Sequence, residues 1–389
     1  MKNNRITLIT SYYPPEKGAA ANRIAMMAEG FKESGFQVQV ICPLPNYPEG
    51  KIFSDYRGKI LVKEHLNGIV VWRLPLYPSN SKSGLIRLFS MFTFALPVSL
   101  TIPFITRSFN QVIVQCPPLP VALFAVLTSK ILKKKVIVNV SDLWPLSAKE
   151  MGALKDGIVY KVMNFMAALI YESADMIIGQ SNEILSYIDK NYIRRPNFLY
   201  RNLQATVEKT ADGRFNGKLI YAGLLGHAQK ISDIVQNCHF PGGFEIYGNG
   251  GDLESLKVAI NTSIDEKIMY HGIVSPAELS KIYPNFSYSL IPLTARIHGA
   301  VPSKLFDAVS RGVPVIFMGG GEGAELVLKH GLGYVVEPGN FDGLNEILVD
   351  LSDEKYIEHY SNCLEFSKSE LSFKLQFESL VNFIDTDNE

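Results

Sequence analysis

RITLITSYYPPEKGAAANRIAMMAEGFKESGFQVQVICP, residues 5–43, is the stretch whose reading decides the fold. RITLIT (5–10) is rich in β-branched and aliphatic residues and reads as a strand. A Pro/Gly loop follows, and AAANRIAMMAEGFKESG then sets Ile24, Met27, Ala28 and Phe31 at helical spacing, with Gly35 as the stop. QVQVICP (37–43) is the next strand. A βαβ unit of this length joins parallel strands and places helices on the sheet faces. Working outward, IVVWR (69–73), VIVQC (112–116), VIVNV (136–140) and MIIGQ (176–180) continue the strand pattern.

The pattern restarts at KLIYAG (218–223) and runs through FEIYG (244–248), IMYHG (268–272), YSLIPL (288–293), VPVIFM (313–318) and YVVEP (334–338). SPAELSKIY reads as a helix with Ser275 as N-cap, Pro276 in first position and Glu278 completing a capping box. The polar stretch RNLQATVEKTADGRFNG (201–217) divides the two series. The expected fold is α/β: two Rossmann-like doubly wound domains facing an interdomain cleft, residues 1–202 and 203–389, with the last helix packing back on the first domain.

Composition agrees with a two-domain globular chain. Its 389 residues are 47% hydrophobic and 20% charged, which excludes a disordered scaffold. Thirty-eight basic residues balance 38 acidic ones, so the simplest electrostatic case for nucleic-acid binding is removed. Cys42, Cys116, Cys238 and Cys363 are scattered, which argues against a disulfide framework or a zinc site and suits a reducing compartment. The N-terminal apolar run is too short for a signal peptide, so a cytoplasmic start is expected. LIRLFSMFTFALPVSLTIPFIT (85–106) has one charge, Arg87, and two prolines, Pro97 and Pro103. It reads as a buried helix hairpin or as a face resting on a membrane with Arg87, Arg107 and Lys133–Lys135 near the headgroups.

In doubly wound sheets ligands sit outside the carboxyl ends of the strands, so the loops there carry the candidates. Gly18 precedes a helix start, where unpaired N–H groups attract phosphate, although it also suits an ordinary turn. This is not a Gly-x-Gly-x-x-Gly fingerprint, and no cofactor is expected. Asp142 and Trp144 in NVSDLWPLS offer a carboxylate and an aromatic face for a sugar, or Asp142 is a helix cap. AGLLGHAQK brings Gly223, Gly226, His227 and Lys230, and YGNGGDLESL brings Gly248. In HGAVPSKLFDAVSRGVPVIFMGGGEGAELV, Lys304 falls in a helix's first turn with Asp307 one turn later, suiting phosphate and ribose or forming a surface ion pair. Gly312 closes that helix, and Gly319–Gly321 then lead into another with Glu322 and Glu325 in its first turns.

SYYPPEKGAAANRI (11–24), PLPNYPEGKIFSDYRGK (43–59), QCPPLP (115–120), SDLWPLSA (141–148), YAGLLGHAQK (221–230) and PSKLFDAVSRGVPVI (302–316) together carry a resemblance. The chain resembles retaining glycosyltransferases of family 4, which have the GT-B fold, and among them the O-antigen and capsule N-acetyl-L-fucosamine transferases. That resemblance implies an N-terminal domain for the acceptor and a C-terminal domain for a nucleotide sugar. By position, Gly18, Gly223, Gly248, Lys304, Asp307, Gly321 and Glu325 would meet the donor, with Lys304 at the diphosphate and Asp307 at the ribose. Asn22, Arg23 and Trp144 would meet the acceptor, and Asp142 and Lys304 would take part in catalysis.

The family's paired glutamates are Gly299 and Asp307 here, and Leu224 and Gln229 replace its Arg and Lys phosphate clamp. Lys304, Lys230 and Arg296 are then the cations available to phosphate. The implied activity is metal-independent, retaining transfer from a UDP-sugar to a lipid-linked saccharide, with the protein peripheral at the inner membrane. The lone Asp-x-Asp, Asp385 and Asp387, lies in an acidic tail. A UDP-sugar 2-epimerase and a non-catalytic binding partner are the competing readings.

Overall fold

The computed structural model describes residues 4–81, 83–201, 211–226, 229–293 and 297–386. The chain divides into two compact units, Met1–Asn202 with Phe377–Glu389, and Leu203–Gln376.

Unit 1 runs β1 (Arg5–Ile9), α1 (Ala19–Glu33), β2 (Gln37–Pro43), β3 (Val62–Leu66), β4 (Ile69–Leu74), α2 (Gly84–Ile105), β5 (Gln111–Cys116), α3 (Leu119–Ile131), β6 (Lys135–Val140), α4 (Leu146–Glu150), α5 (Ile158–Ser173), β7 (Met176–Gly179), α6 (Asn182–Asn191) and β8 (Asn197–Leu199). Among the described residues the sheet order is β3-β4-β2-β1-β5-β6-β7-β8, parallel except for the β3–β4 hairpin. The strand order reverses between β1 and β5, the switch point where such sheets open a crevice. Ile24, Met27, Ala28 and Phe31 all face inward, which is why α1 forms where the apolar spacing places it.

Unit 2 runs β9 (Leu219–Ala222), α7 (Ile231–Asn237), β10 (Phe244–Tyr247), α8 (Leu253–Thr262), β11 (Ile268–Gly272), α9 (Pro276–Ile282), β12 (Tyr288–Pro292), α10 (Ser303–Ser310), β13 (Val315–Met318), α11 (Glu322–His330), β14 (Gly333–Val336), α12 (Phe341–Asp350) and α13 (Asp353–Ser369). Its parallel order, β11-β10-β9-β12-β13-β14, reverses between β9 and β12. Separate apolar cores fill the two faces of this sheet, one around Leu305 and Phe317 and one around Tyr221 and Ile246. The capping box of α9 is present, with Ser275 N donating to Glu278 Oε2 at 2.8 Å and Glu278 N donating to Ser275 Oγ at 3.2 Å.

The last helix, α14 (Phe373–Thr386), brings Phe377 edge-on to Phe31 with ring centroids 4.9 Å apart. Gly30 makes room for it, since a Cβ there would lie 2.7 Å from the Phe377 ring.

The hairpin expected at 85–106 is corrected: α2 is one helix of 22 residues that continues through Pro97 and Pro103. Its buried residues, Phe94, Ala95, Val98 and Ile102, form one helical face extending across Pro97. That continuous burial offsets the local cost of a proline, about 3 kcal/mol in a helix interior. Thr101 Oγ1 donates to Pro97 O, one turn back, at 2.7 Å.

Candidate functional site

The densest group of candidates in unit 2 lies at its switch point. Gly223 follows β9, Gly248 follows β10, Lys304 begins α10 after β12, and Gly321 precedes α11 after β13. Lys304 Nζ donates to the Tyr221 hydroxyl at 2.7 Å and sits 4.2 Å from the centroid of the Tyr221 ring. The Tyr221 hydroxyl in turn donates to Leu224 O at 2.5 Å. Burial pushes the Lys304 ammonium down to about 8, while burial raises the Tyr221 hydroxyl and keeps it neutral. A desolvated cation held over a neutral ring, beside an eight-residue helix's first turn, is prepared to meet an anion.

The glycines keep that place open. A Cβ on Gly223, whose φ is +148°, would lie 2.2 Å from Lys304 Cε. A Cβ on Gly248 would lie 1.8 Å from Gly223 O, so only glycine lets the two loops touch. Gly223→Ala is therefore expected to lower stability by about 1–3 kcal/mol through backbone strain and to displace Lys304. A thermal midpoint equal to wild type would remove this account of Gly223.

Asp307 and Lys304 do not pair. Asp307 is 64% exposed and its carboxylate lies 3.7 Å from Arg311 Nη1. Gly321 has φ +72° and caps α11, and Glu325 is exposed in that helix's first turn. Lys230 is engaged with Asp233 at 3.5 Å beside a cavity of about 200 Å³ that Gln229 also lines. Leu224 is exposed, Gly299 is buried with φ +77°, and His227 and Arg296 lie outside the described residues. Asp387 does too, and among the described residues no cluster of His, Cys, Asp and Glu is arranged to hold a metal ion.

In unit 1 the structure joins Arg23 to residues that the sequence left unmarked. Arg23 Nη1 donates to Gln180 Oε1 at 2.6 Å, and Gln180 Nε2 donates to Ser141 Oγ at 3.0 Å. Gln115 Nε2 also donates to Ser141 Oγ, and Asn139 Nδ2 donates to Gln115 Oε1 at 2.7 Å. This chain of amides and hydroxyls crosses the carboxyl ends of β5, β6 and β7. The protein surrounding Asp142 raises its carboxyl by desolvation, and the Arg23 charge pulls it back down. Asp142 keeps an exposed face and caps no helix, since Pro145 is the N-cap of α4. Trp144 packs against the unit 1 core, while Gly18, the N-cap of α1, and Asn22 are exposed. The only signal for Gln115, Asn139 and Gln180 was polar residues ending otherwise apolar strands.

Residues 214–354 match the family described as Glycosyl transferases group 1. Comparison with curated protein sequences gives no significant match. Solved structures align along nearly the whole chain. A sucrose-phosphate synthase from Thermosynechococcus elongatus has a TM-score of 0.72 at 13% identity, with 98% of each chain covered. Anabaena HepE in complex with UDP and glucose has a TM-score of 0.69 at 13% identity, covering 98% of this chain and 99% of that one. WaaG, a glycosyltransferase involved in lipopolysaccharide biosynthesis, has a TM-score of 0.63 at 12% identity, covering 96% and 98%. The chain thus has the GT-B fold of two Rossmann-like domains, and its second unit matches glycosyl transferases group 1 over residues 214–354.

Proposed function

We propose that this protein is a retaining, metal-independent glycosyltransferase. It moves N-acetyl-L-fucosamine or another N-acetylhexosamine from a UDP-sugar to an undecaprenyl-diphosphate-linked saccharide in O-antigen or capsule synthesis, peripherally at the inner membrane face. The observation that carries the reading is the desolvated Lys304, held over Tyr221 beside glycines that leave backbone bare. Breaking a sugar–diphosphate bond gathers negative charge on the leaving group. Lys304 and the start of α10 would stabilise that charge as it develops, often the largest catalytic contribution. Asp307, free to solvent one turn on, is placed to take ribose hydroxyls, and Asp142 beside Arg23 to orient the acceptor. The UDP and glucose bound to HepE support a UDP-sugar as donor.

The membrane part rests on α2. Leu85, Phe89, Leu96, Leu100 and Phe104 form an exposed apolar stripe along its length, with Phe104 81% exposed. On α5, Ile158, Val162 and Phe165 are exposed as well. Such a face suits the boundary of headgroups and acyl chains. Lys134 and Lys135 are otherwise engaged: Lys134 Nζ donates to Thr106 O at 2.8 Å and Phe109 O at 2.7 Å, and Lys135 Nζ to Ile384 O at 3.0 Å. Reversing those charges would therefore disturb the fold. Replacing Phe89, Leu100 and Phe104 together by Gln is instead expected to cut co-sedimentation with anionic vesicles at least about tenfold, with circular dichroism unchanged. Undiminished sedimentation would exclude the contact.

Incubating the purified protein with UDP-sugars and a polyprenyl-diphosphate-linked acceptor tests the whole reading. An extended acceptor supports it, an isomerised donor indicates an epimerase, and binding without turnover indicates a scaffold.

A further inference from the structure

Unit 1 contains a cavity of about 390 Å³ that none of Asn22, Arg23, Asp142 or Trp144 lines. It lies at the carboxyl ends of β1, β2, β4 and β5, across the switch point of the sheet. Its size falls within the range of about 300–1,000 Å³ usual for small-molecule sites.

One wall is aromatic. Tyr12 and Tyr47 meet edge to face with ring centroids 5.4 Å apart. A buried carboxylate fixes the two loops that carry them: Glu16 accepts from Asn46 N at 2.7 Å, Tyr47 N at 2.9 Å and Tyr13 N at 3.3 Å. The facing wall is one side of α2, where Arg87, Ser90, Met91 and Phe94 recur at helical spacing. Arg87 is the one charged side chain in the lining, and its guanidinium has no hydrogen bond or ion pair among the described residues. The Ser11 hydroxyl, buried at the cavity, is likewise without a partner there. The same helix turns Leu85, Phe89 and Leu96 outward.

These features select a ligand. A lone cation among aromatic and apolar side chains, with serine and asparagine side chains between them, suits a molecule with one anionic group and a pyranose ring. A helix with this cavity on one side and an exposed apolar stripe on the other suits a molecule anchored in lipid. We propose that the cavity seats the head of the acceptor, a phosphate-bearing, lipid-linked sugar, with its phosphate on Arg87 and a sugar ring against Tyr12 and Tyr47. Calling this ligand the acceptor rests on the transferase reading; its binding does not.

The test measures binding without donor. The probe is N-acetylglucosamine linked to farnesyl diphosphate, compared with N-acetylglucosamine 1-phosphate and with anionic phospholipid vesicles lacking any sugar. Wild type is expected to bind the farnesyl probe more tightly than the chain-free sugar phosphate. Arg87→Gln and, separately, Tyr47→Ala are each expected to weaken the farnesyl probe at least about tenfold, with vesicle binding and UDP binding unchanged. Both side chains are exposed, so neither change threatens folding. Wild-type affinity in Arg87→Gln overturns the assignment. So does an equal loss of vesicle binding, because Arg87 would then serve headgroups in general. If wild type binds the probe through Arg87 yet does not bind UDP, the cavity stands and the transferase reading falls.

Discussion

Arg73→Ala is expected to destabilise unit 1 by about 3–5 kcal/mol, the range seen when one partner of a buried ion pair is removed. Arg73 is only 1% exposed, on the strand next to the sheet's antiparallel edge. Its Nε donates to Glu64 Oε1 at 2.5 Å, its Nη2 to Pro14 O at 2.5 Å and its Nη1 to Cys42 Sγ at 3.4 Å. Removing the side chain leaves the Pro14 carbonyl unpaired, leaves the half-buried Glu64 carboxylate with only the Tyr56 hydroxyl, and opens a cavity, and these costs act together. A double change, Arg73→Met with Glu64→Leu, is expected to recover much of the loss, because it removes both charges and keeps volume. The chain's two tryptophans, Trp72 and Trp144, are both in unit 1, so their fluorescence in a urea titration follows that unit alone. A single variant within about 1 kcal/mol of wild type would mean that the pair is a packing detail. The effect also reaches function. Pro14 belongs to the loop carrying Tyr12 and Glu16, so the variant should lose its grip on the farnesyl probe even where it stays folded.

Arg73 also marks where sequence reading stops. Its strand was legible from IVVWR, but nothing in that run says that the arginine points into the core. The partner that makes this tolerable, Glu64, lies on β3, a strand the sequence did not disclose. VKEHL alternates half-buried and exposed residues at the sheet edge, so charge masked its extended backbone. β8 is three residues long and gives no period at all. By contrast, the buried parallel strands announce themselves as continuous apolar runs, and α9 carries its own capping box. α2 departs from the expected hairpin for a different reason: proline preference is local, whereas the burial of Phe94, Val98 and Ile102 is a property of the assembled unit. The same divide runs through the site. Lys304, Gly223 and Gly248 stood out because helix starts and glycine turns are sequence patterns. Tyr221, Ser141 and the amides of Gln115, Asn139 and Gln180 sit in or beside strands and acquire meaning only through partners far along the chain.

Lys304→Ala is expected to weaken UDP-sugar binding or turnover at least about tenfold, since a charge-assisted hydrogen bond contributes about 1.5–3 kcal/mol. Loss of a salt bridge to Asp307 is not the cause, because that carboxylate faces Arg311 instead. The pH dependence separates a diphosphate contact from mere packing. In the free protein, burial holds the Lys304 ammonium at about 8, and a bound diphosphate would raise it. The liganded state then binds the proton more tightly, so affinity is full below about pH 8 and falls as pH rises through that value. A UDP-sugar's diphosphate is fully ionised throughout, so it contributes no competing titration. Affinity measured from about pH 6.5 to 9 should therefore decline in wild type and stay flat in Lys304→Ala. Lys304→Arg, whose charge persists, should also stay flat while keeping more of the affinity. If wild type shows no decline, or Lys304→Ala declines in parallel, Lys304 does not touch the phosphate. The ammonium over Tyr221 would then be a stabilising cation–π contact, and the donor would have to be held elsewhere in unit 2.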